Sequence, residues 1–271
     1  MHWLDFFVPW EPSVPFIIFF ASTTWLFWHG SKSGSLIISR ARQILFWSGM
    51  FLLYIGLHTR LDYYAQHQFF MHRIQHLGLH HLAPLLIMWA YPGAVIYTGL
   101  PKRWQKIWQK WQASRFYCLI GMIMMNPIIV TLLFVGSVLF WLIPSIQFIS
   151  MLDWRIYHLM NWSVTLTGLM YWAYVFDRRP SPPARSHPGW RVLSPIVTMM
   201  PQIIVGAYIT FSQQDLYPIF DLCGRAFFLT PLFDQSLGGL IMWIPAAAFE
   251  ALGALIALHH LLHLNQFNNK K

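Results

Sequence analysis

QHQFFMHRIQHLGLHHLAPLLIMW, residues 66–89, decides the fold: it is a membrane-length apolar run whose opening carries His67, His72, His76, His80 and His81. About 20 helical residues cross a bilayer core of about 30 Å, so the segment reads as a spanning helix. Polar side chains inside such a helix are costly and tend to be functional. His72, His76 and His80 follow i, i+4, i+8. Each such step on a helix drifts only about 40°, so the three line one face. His81 is turned about 100° from His80, toward packing or support of a site.

The rest of the chain has the same character. Over 271 residues, 56% are apolar, 18% aromatic and only 10% charged, which excludes a soluble domain and indicates a polytopic membrane protein. Spanning runs are predicted at 15–29, 43–58, 67–90, 116–143, 154–176, 190–211 and 237–263. The expected architecture is therefore all-α, a bundle of seven transmembrane helices in a single integral membrane domain, 1–271. Pro84, Pro127, Pro201 and Pro245 fall inside these runs and predict kinks. The opening MHWLDFFVPWEP carries Asp5 and Glu11 without a basic leader, so the first span is expected to stay as an anchor. Cys118 and Cys223 fall near opposite faces, and no disulfide framework is expected.

Charge orients the bundle. All Lys and Arg except Arg60, Arg73, Arg155 and Arg225 lie in the first, third and fifth loops or at the carboxyl end. The acidic Asp5, Glu11, Asp62, Asp153, Asp215, Asp221 and Asp234 keep to the other side. The positive-inside rule then puts the amino terminus outside and the carboxyl terminus in the cytoplasm. The net charge of +9 reflects this topology and contact with anionic lipid, and nucleic acid is not an expected partner. KRWQKIWQKWQ, residues 102–112, reads as an interfacial amphipathic helix.

This topology divides the histidines. His58, His67 to His81 and His158 gather toward the outer face, with Met71, Met160 and Asp234 nearby, while His29, His259, His260 and His263 lie toward the cytoplasm. Imidazole with thioether or carboxylate suits copper and also zinc; two imidazoles from facing helices equally suit haem. His2, His29 and His187 read as interfacial residues, and His259, His260 and His263 as a polar helix end. Met122, Met124 and Met125 read as flexible core filler. Glu250, midway along the seventh span, is expected to face the bundle interior as a proton relay or as the partner of a polar side chain. A copper permease would explain histidines at both faces, yet no continuous polar path between them is visible in the sequence.

Three stretches carry a resemblance. His72-Arg-Ile-Gln-His76 with Pro84 and Pro92, then PSPPAR (180–185) with PQIIVGAYITFSQQDLYPIFDLCGR (201–225), and above all TPLFDQSLGGLIMWIPAAA (230–248) stand in order along the chain. Together they resemble the signature blocks of the CtaG-type cytochrome c oxidase assembly factors of bacteria, over about residues 43 to 258. The resemblance implies a multi-pass inner (plasma) membrane protein, not an enzyme, that helps build a haem-copper oxidase by handling copper. Its expected partners are oxidase subunits, a periplasmic copper carrier and membrane lipid. The resemblance singles out His72 and His76 as metal ligands and matches Asp234 and Gln235 to the family's late acidic block; by their place in the chain His67, His80, His58 and His158 are further candidates, with Asp234, Gln75 and His81 in supporting roles. A second His-x-x-x-His pair is implied early in the fifth span, where Tyr157 and Asn161 stand and His158 is one residue out of phase. The rival readings are a haem-binding cytochrome b-like protein, with His72 or His76 opposite His158, and a metal-free membrane chaperone for oxidase subunits.

Overall fold

The computed structural model describes residues 7–10, 13–34, 36–181, 184 and 186–268. His2, Asp5, Glu11, Arg185, Lys270 and Lys271, which entered the sequence reading, lie outside the described residues. What is described is all-helical: an isolated bridge between Pro9 and Thr59 is the only β pairing among the described residues.

The order is α1 (Val14–Lys32), α2 (Arg40–His58), α3 (Arg60–His67), α4 (Phe69–His76), a π-helical segment (Leu77–Leu82) and α5 (Ala83–Trp89). There follow α6 (Pro92–Gly99), α7 (Lys102–Gln112), α8 (Arg115–Met124), α9 (Pro127–Leu142) and α10 (Pro144–Leu152). The chain ends with α11 (Trp154–Val175), α12 (Pro188–Phe211), α13 (Ile219–Leu222) and α14 (Pro231–Asn268). Two stretches, Pro188–Phe211 and Pro231–Leu264, are each long and apolar enough to cross a membrane. Two bent pairs qualify if each is one span: Phe69–Trp89 with Pro92–Gly99, bent by 71°, and Arg115–Met124 with Pro127–Leu142, bent by 62°. Ile17, Phe51, Leu132, Ile204 and Leu255 are among many large apolar side chains left open on the outside. Such a surface suits lipid rather than water, and the apolar helices mark a membrane protein.

The breaks have local causes. Asn126 accepts from the amides of Ile128 (2.9 Å) and Ile129 (3.3 Å), so it caps α9 just before Pro127 and ends α8 there. At the other bend Tyr91 adopts a left-handed conformation (φ 51), uncommon for a residue with a Cβ. Arg42 holds that corner by donating to the carbonyls of Ala90 (2.8 Å) and Tyr91 (2.9 Å), and the Arg178 guanidinium stacks 3.6 Å over the Tyr91 ring. Pro201 and Pro245 lie within α12 and α14, which continue through them as helix. The proline at 84 leaves a different mark. The Ala83 amide bonds five residues back to the Gly78 carbonyl, so the helix is locally underwound into π geometry just before a residue that cannot donate.

The packing is built around this broken helix. α2, α4 and α11 flank it, α14 runs against both α4 and α12, and α9 lies on α11. Gly168 of α11 touches the chain at the His80 carbonyl, where a Cβ would collide with backbone. α7 has no buried residue, and Trp104, Trp108 and Trp111 are exposed along one helical face.

Candidate functional site

Gln68 is extended (φ −153, ψ 126) and gives α4 no side-chain cap. The cap comes from α14 instead: Asp234 accepts from the Phe69 amide through Oδ2 (3.0 Å) and from the Phe70 amide through Oδ1 (2.8 Å). This carboxylate is fully buried and also pairs with Arg225. It stabilises the helix start by charge and by satisfying two orphan donors. Tyr217 reinforces the same corner, stacking on Phe69 at 4.3 Å and donating to the Leu142 carbonyl at 2.9 Å. Burial pushes its hydroxyl up to about 12, so it stays a donor.

From this fixed start, His72 and His76 come round one face of α4 with ring centroids 4.3 Å apart. Both are buried, and no hydrogen bond of normal length and angle reaches their four ring nitrogens, although the Ala65 backbone carbonyl faces His72 and the Asn161 side chain faces His76. Buried polar atoms are nearly always satisfied by protein, water or an ion, which sets these two rings apart from the other histidines. Arg73, between them in sequence, is also buried; its Nη2 donates to Gln147 at 3.2 Å and its guanidinium lies 5.1 Å over Phe69.

The side facing α11 is arranged differently. Tyr157 lies with its ring 6.3 Å from His72, and its hydroxyl donates to Asp62 at 2.7 Å, with Gln75 Oε1 3.2 Å away. Gln75 donates to Asp62 at 2.6 Å and to the Gly56 carbonyl at 2.7 Å. The three buried side chains thus satisfy one another and tie α3, α4 and α11 together. Asn161, one turn after Tyr157, is buried with its Oδ1 unpartnered. Tyr157 and Asn161, at the positions of the expected second histidine pair, therefore supply a hydroxyl and an amide next to His72 and His76.

The i, i+8 alignment does not survive the π segment. His80 stacks on Phe134 at 4.0 Å, its Nδ1 is 3.3 Å from His81 Nδ1, and its Nε2 lies 3.5 Å from Ser137 Oγ. His81 turns the other way, its Nε2 3.4 Å from Glu250. Periodicity expects three stacked imidazoles and a bystander; the structure holds two pairs.

The remaining candidates are dispersed. His67 closes α3, its Nδ1 2.7 Å from the Tyr63 carbonyl and its ring against Tyr63. His58, at the end of α2, stacks on Phe16 at 4.9 Å. His158 has its Nδ1 2.8 Å from the Trp154 carbonyl and packs edge-on to that indole. Asp234 sits at the cap of α4, one turn before His72. Among the described residues no three His, Cys, Asp or Glu side chains converge on one point. Two cavities adjoin the region, of about 20 Å³ beside His76 and His80 and about 10 Å³ beside Asp62, Tyr157 and Asn161. The first has room for a single water.

Sequence reasoning passed over Asp62, Tyr157, Asn161, Arg73 and Gln147 as site residues. Asp62 comes from α3 while Tyr157 and Asn161 share α11, so no single spacing joins the three. Arg73 and Gln147 have a weak signal, since each is a polar residue inside an apolar run.

The family described as cytochrome c oxidase caa3 assembly factor matches residues 20–263. No curated protein and no solved structure matches the chain.

Proposed function

The chain belongs to the cytochrome c oxidase caa3 assembly factor family, and from that membership we propose that it carries copper on His72 and His76 and delivers it to a haem-copper oxidase subunit. The observation that supports this is the pair of touching, buried rings whose four nitrogens no hydrogen bond of normal geometry reaches. Neutral imidazoles are good donors to copper. A two-ligand site also leaves coordination positions open, which cargo that must be handed on requires.

The neighbouring groups fit such a cargo. The immobile Arg73 cation beside the pair opposes a divalent ion about twice as strongly as a monovalent one, which favours Cu(I). The Asp62–Gln75–Tyr157 triangle fixes the helix face that bears the histidines. His67, His58, His80 and His158 have other contacts and take no part.

The proposal places the protein in the bacterial inner membrane as a single seven-span domain, amino terminus outside, with the histidine pair in the outer half. A periplasmic copper carrier loads it, anionic lipid holds α7 at the inner surface, and the protein performs no catalysis of its own. Element analysis of detergent-purified protein tests the ligand assignment: copper is retained by the wild type and lost from His72→Ala/His76→Ala. Equal copper in both would sink it.

A second reading, a metal-free chaperone for oxidase subunits, is favoured by the absence of a three-donor site among the described residues. Full rescue of oxidase assembly by the double variant would select it. Haem is disfavoured by cavities of about 20 and 10 Å³ around the pair, and a Soret band in the purified protein would reverse that judgement.

A further inference from the structure

His259, His260 and His263 lie close to the end of the apolar stretch Pro231–Leu264 of α14, with the His259 and His263 rings 4.4 Å apart. Together with Arg178, from the segment after α11, they line an open cavity of about 600 Å³ whose apolar wall includes Trp89 of α5 and Leu255 of α14. That volume falls within the roughly 300–1,000 Å³ of small-ligand pockets. Three separate segments contribute, so no single run of sequence reveals the cavity.

The polar wall suits an anion. Arg178 is exposed, and no carboxylate pairs with it among the described residues: the adjacent Asp177 is taken by Arg179 at 2.8 Å and by Arg191 at 3.9 Å. The Arg178 guanidinium rests 3.6 Å over the Tyr91 ring, and Arg42 holds the Tyr91 carbonyl, so the cation has a fixed seat. The Tyr91 hydroxyl lies 3.4 Å from His260 Nε2, while His260 Nδ1 is buried with no partner. A hydrogen bond given by the hydroxyl to Nε2 leaves Nδ1 as the N–H of the ring. That is a donor in want of an acceptor. No acidic side chain lines the cavity among the described residues, and the three imidazoles do not converge on one point. A metal cation would therefore find neither counter-charge nor ligand set, whereas a guanidinium beside imidazole N–H groups is a phosphate-binding set.

The level of the cavity indicates where that phosphate comes from. It sits where the apolar stretch of α14 ends, and Leu255, Leu258 and Leu262, spaced i, i+3, i+7, form an exposed apolar stripe on the same helix. Tryptophan at a span end, as at Trp89, is the usual mark of the membrane interface. A lipid in this leaflet presents its phosphate at this level and its acyl chains to the leucine stripe. Basic pockets between spanning helices are a recurrent setting for anionic headgroups. We propose that the cavity between α5, α14 and the segment after α11 is a binding site for one anionic phospholipid, its phosphate held by Arg178 and His260 and its acyl chains laid along Leu255. The site shares no residue with His72 and His76, so it stands or falls separately from the copper reading.

The test is native mass spectrometry of the full-length protein, stripped of co-purifying lipid in detergent and titrated with dioleoylphosphatidylglycerol or dioleoylphosphatidylcholine. The first phosphatidylglycerol binds several-fold tighter than phosphatidylcholine. Arg178→Gln weakens that first adduct about fivefold, the effect of one basic side chain on an anionic headgroup. Because Arg178 also steadies the Tyr91 corner, a second variant is needed: His260→Phe keeps a ring against Tyr91, removes the N–H, and weakens the same adduct. Lys106→Gln/Lys110→Gln on α7 leaves it unchanged. Equal affinity for the two lipids, an undiminished first adduct in both pocket variants, or its loss from the α7 variant alone overturns the proposal. Millimolar inorganic phosphate does not displace the lipid; displacement would assign the cavity to a free anion and overturn the lipid.

Discussion

The Tyr157 hydroxyl donates to Asp62 across 2.7 Å, joining α11 to α3 beside the histidine pair. Tyr157→Phe removes that donor and leaves a buried carboxylate short of one hydrogen bond. The expected cost is about 1–3 kcal/mol, read as a lowered melting temperature in detergent, with copper retention kept. An unchanged melting temperature would show that the triangle carries no strain-free stability worth measuring.

His76→Leu has opposite effects on stability and on cargo. It replaces a buried imidazole that lacks a well-formed hydrogen bond with an apolar side chain of similar size, so the metal-free protein gains about 1–3 kcal/mol while copper retention collapses. A less stable metal-free variant would mean that the ring has a partner in the folded protein, and would remove the main support for the ligand assignment.

Asp234→Ala withdraws the cap of α4 and leaves Arg225 without its buried partner. Arg225 keeps its ion pair with Asp221, so the expected cost is the lost cap of about 0.5–2 kcal/mol plus part of the broken pair. The local signature is faster hydrogen exchange at the Phe69 and Phe70 amides; exchange rates matching the wild type would contradict the capping role.

Asp177, in the segment between α11 and α12, gives a pH dependence. Burial alone would raise its carboxyl; the hydrogen bonds from Arg179 and the charge of Arg191 outweigh this and hold it below the usual 3.8. A depressed carboxylate contributes stability that is present above its unfolded value and is lost as pH falls through the folded one. Asp177→Asn therefore melts lower than wild type at pH 6, and the gap closes as the pH drops below 3.8. A gap that stays constant down to pH 3 would refute the assignment.

Much of this was legible in the sequence. Composition gave the helical membrane class, the alternation of charge marked the loops around Arg42, Arg178 and Arg191, and the histidine spacing led to His72 and His76. What could not be read depends on distant partners. Gln68 breaks the run at a residue with no proline or glycine, because Asp234 supplies the amides' acceptor from α14. His80 leaves the common face because a π turn ahead of Pro84 shifts the register, and a 3.6-residue period has no way to announce that. The hydroxyl row of Thr131, Ser194, Tyr171 and Thr198 is assembled from α9, α11 and α12, and is visible only once these helices are packed.

The link from Asp234 to Phe69 reaches across 165 positions, and it fixes an order of events during synthesis. When the ribosome has made α4, the acceptor that will hold its first turn does not yet exist. The two histidines can hover near one another, but their helix has no settled start until α14 has entered the bilayer and docked. The start of α4 is thus settled only after α14 is in place, and a chain interrupted before α14 would reach the membrane without that cap.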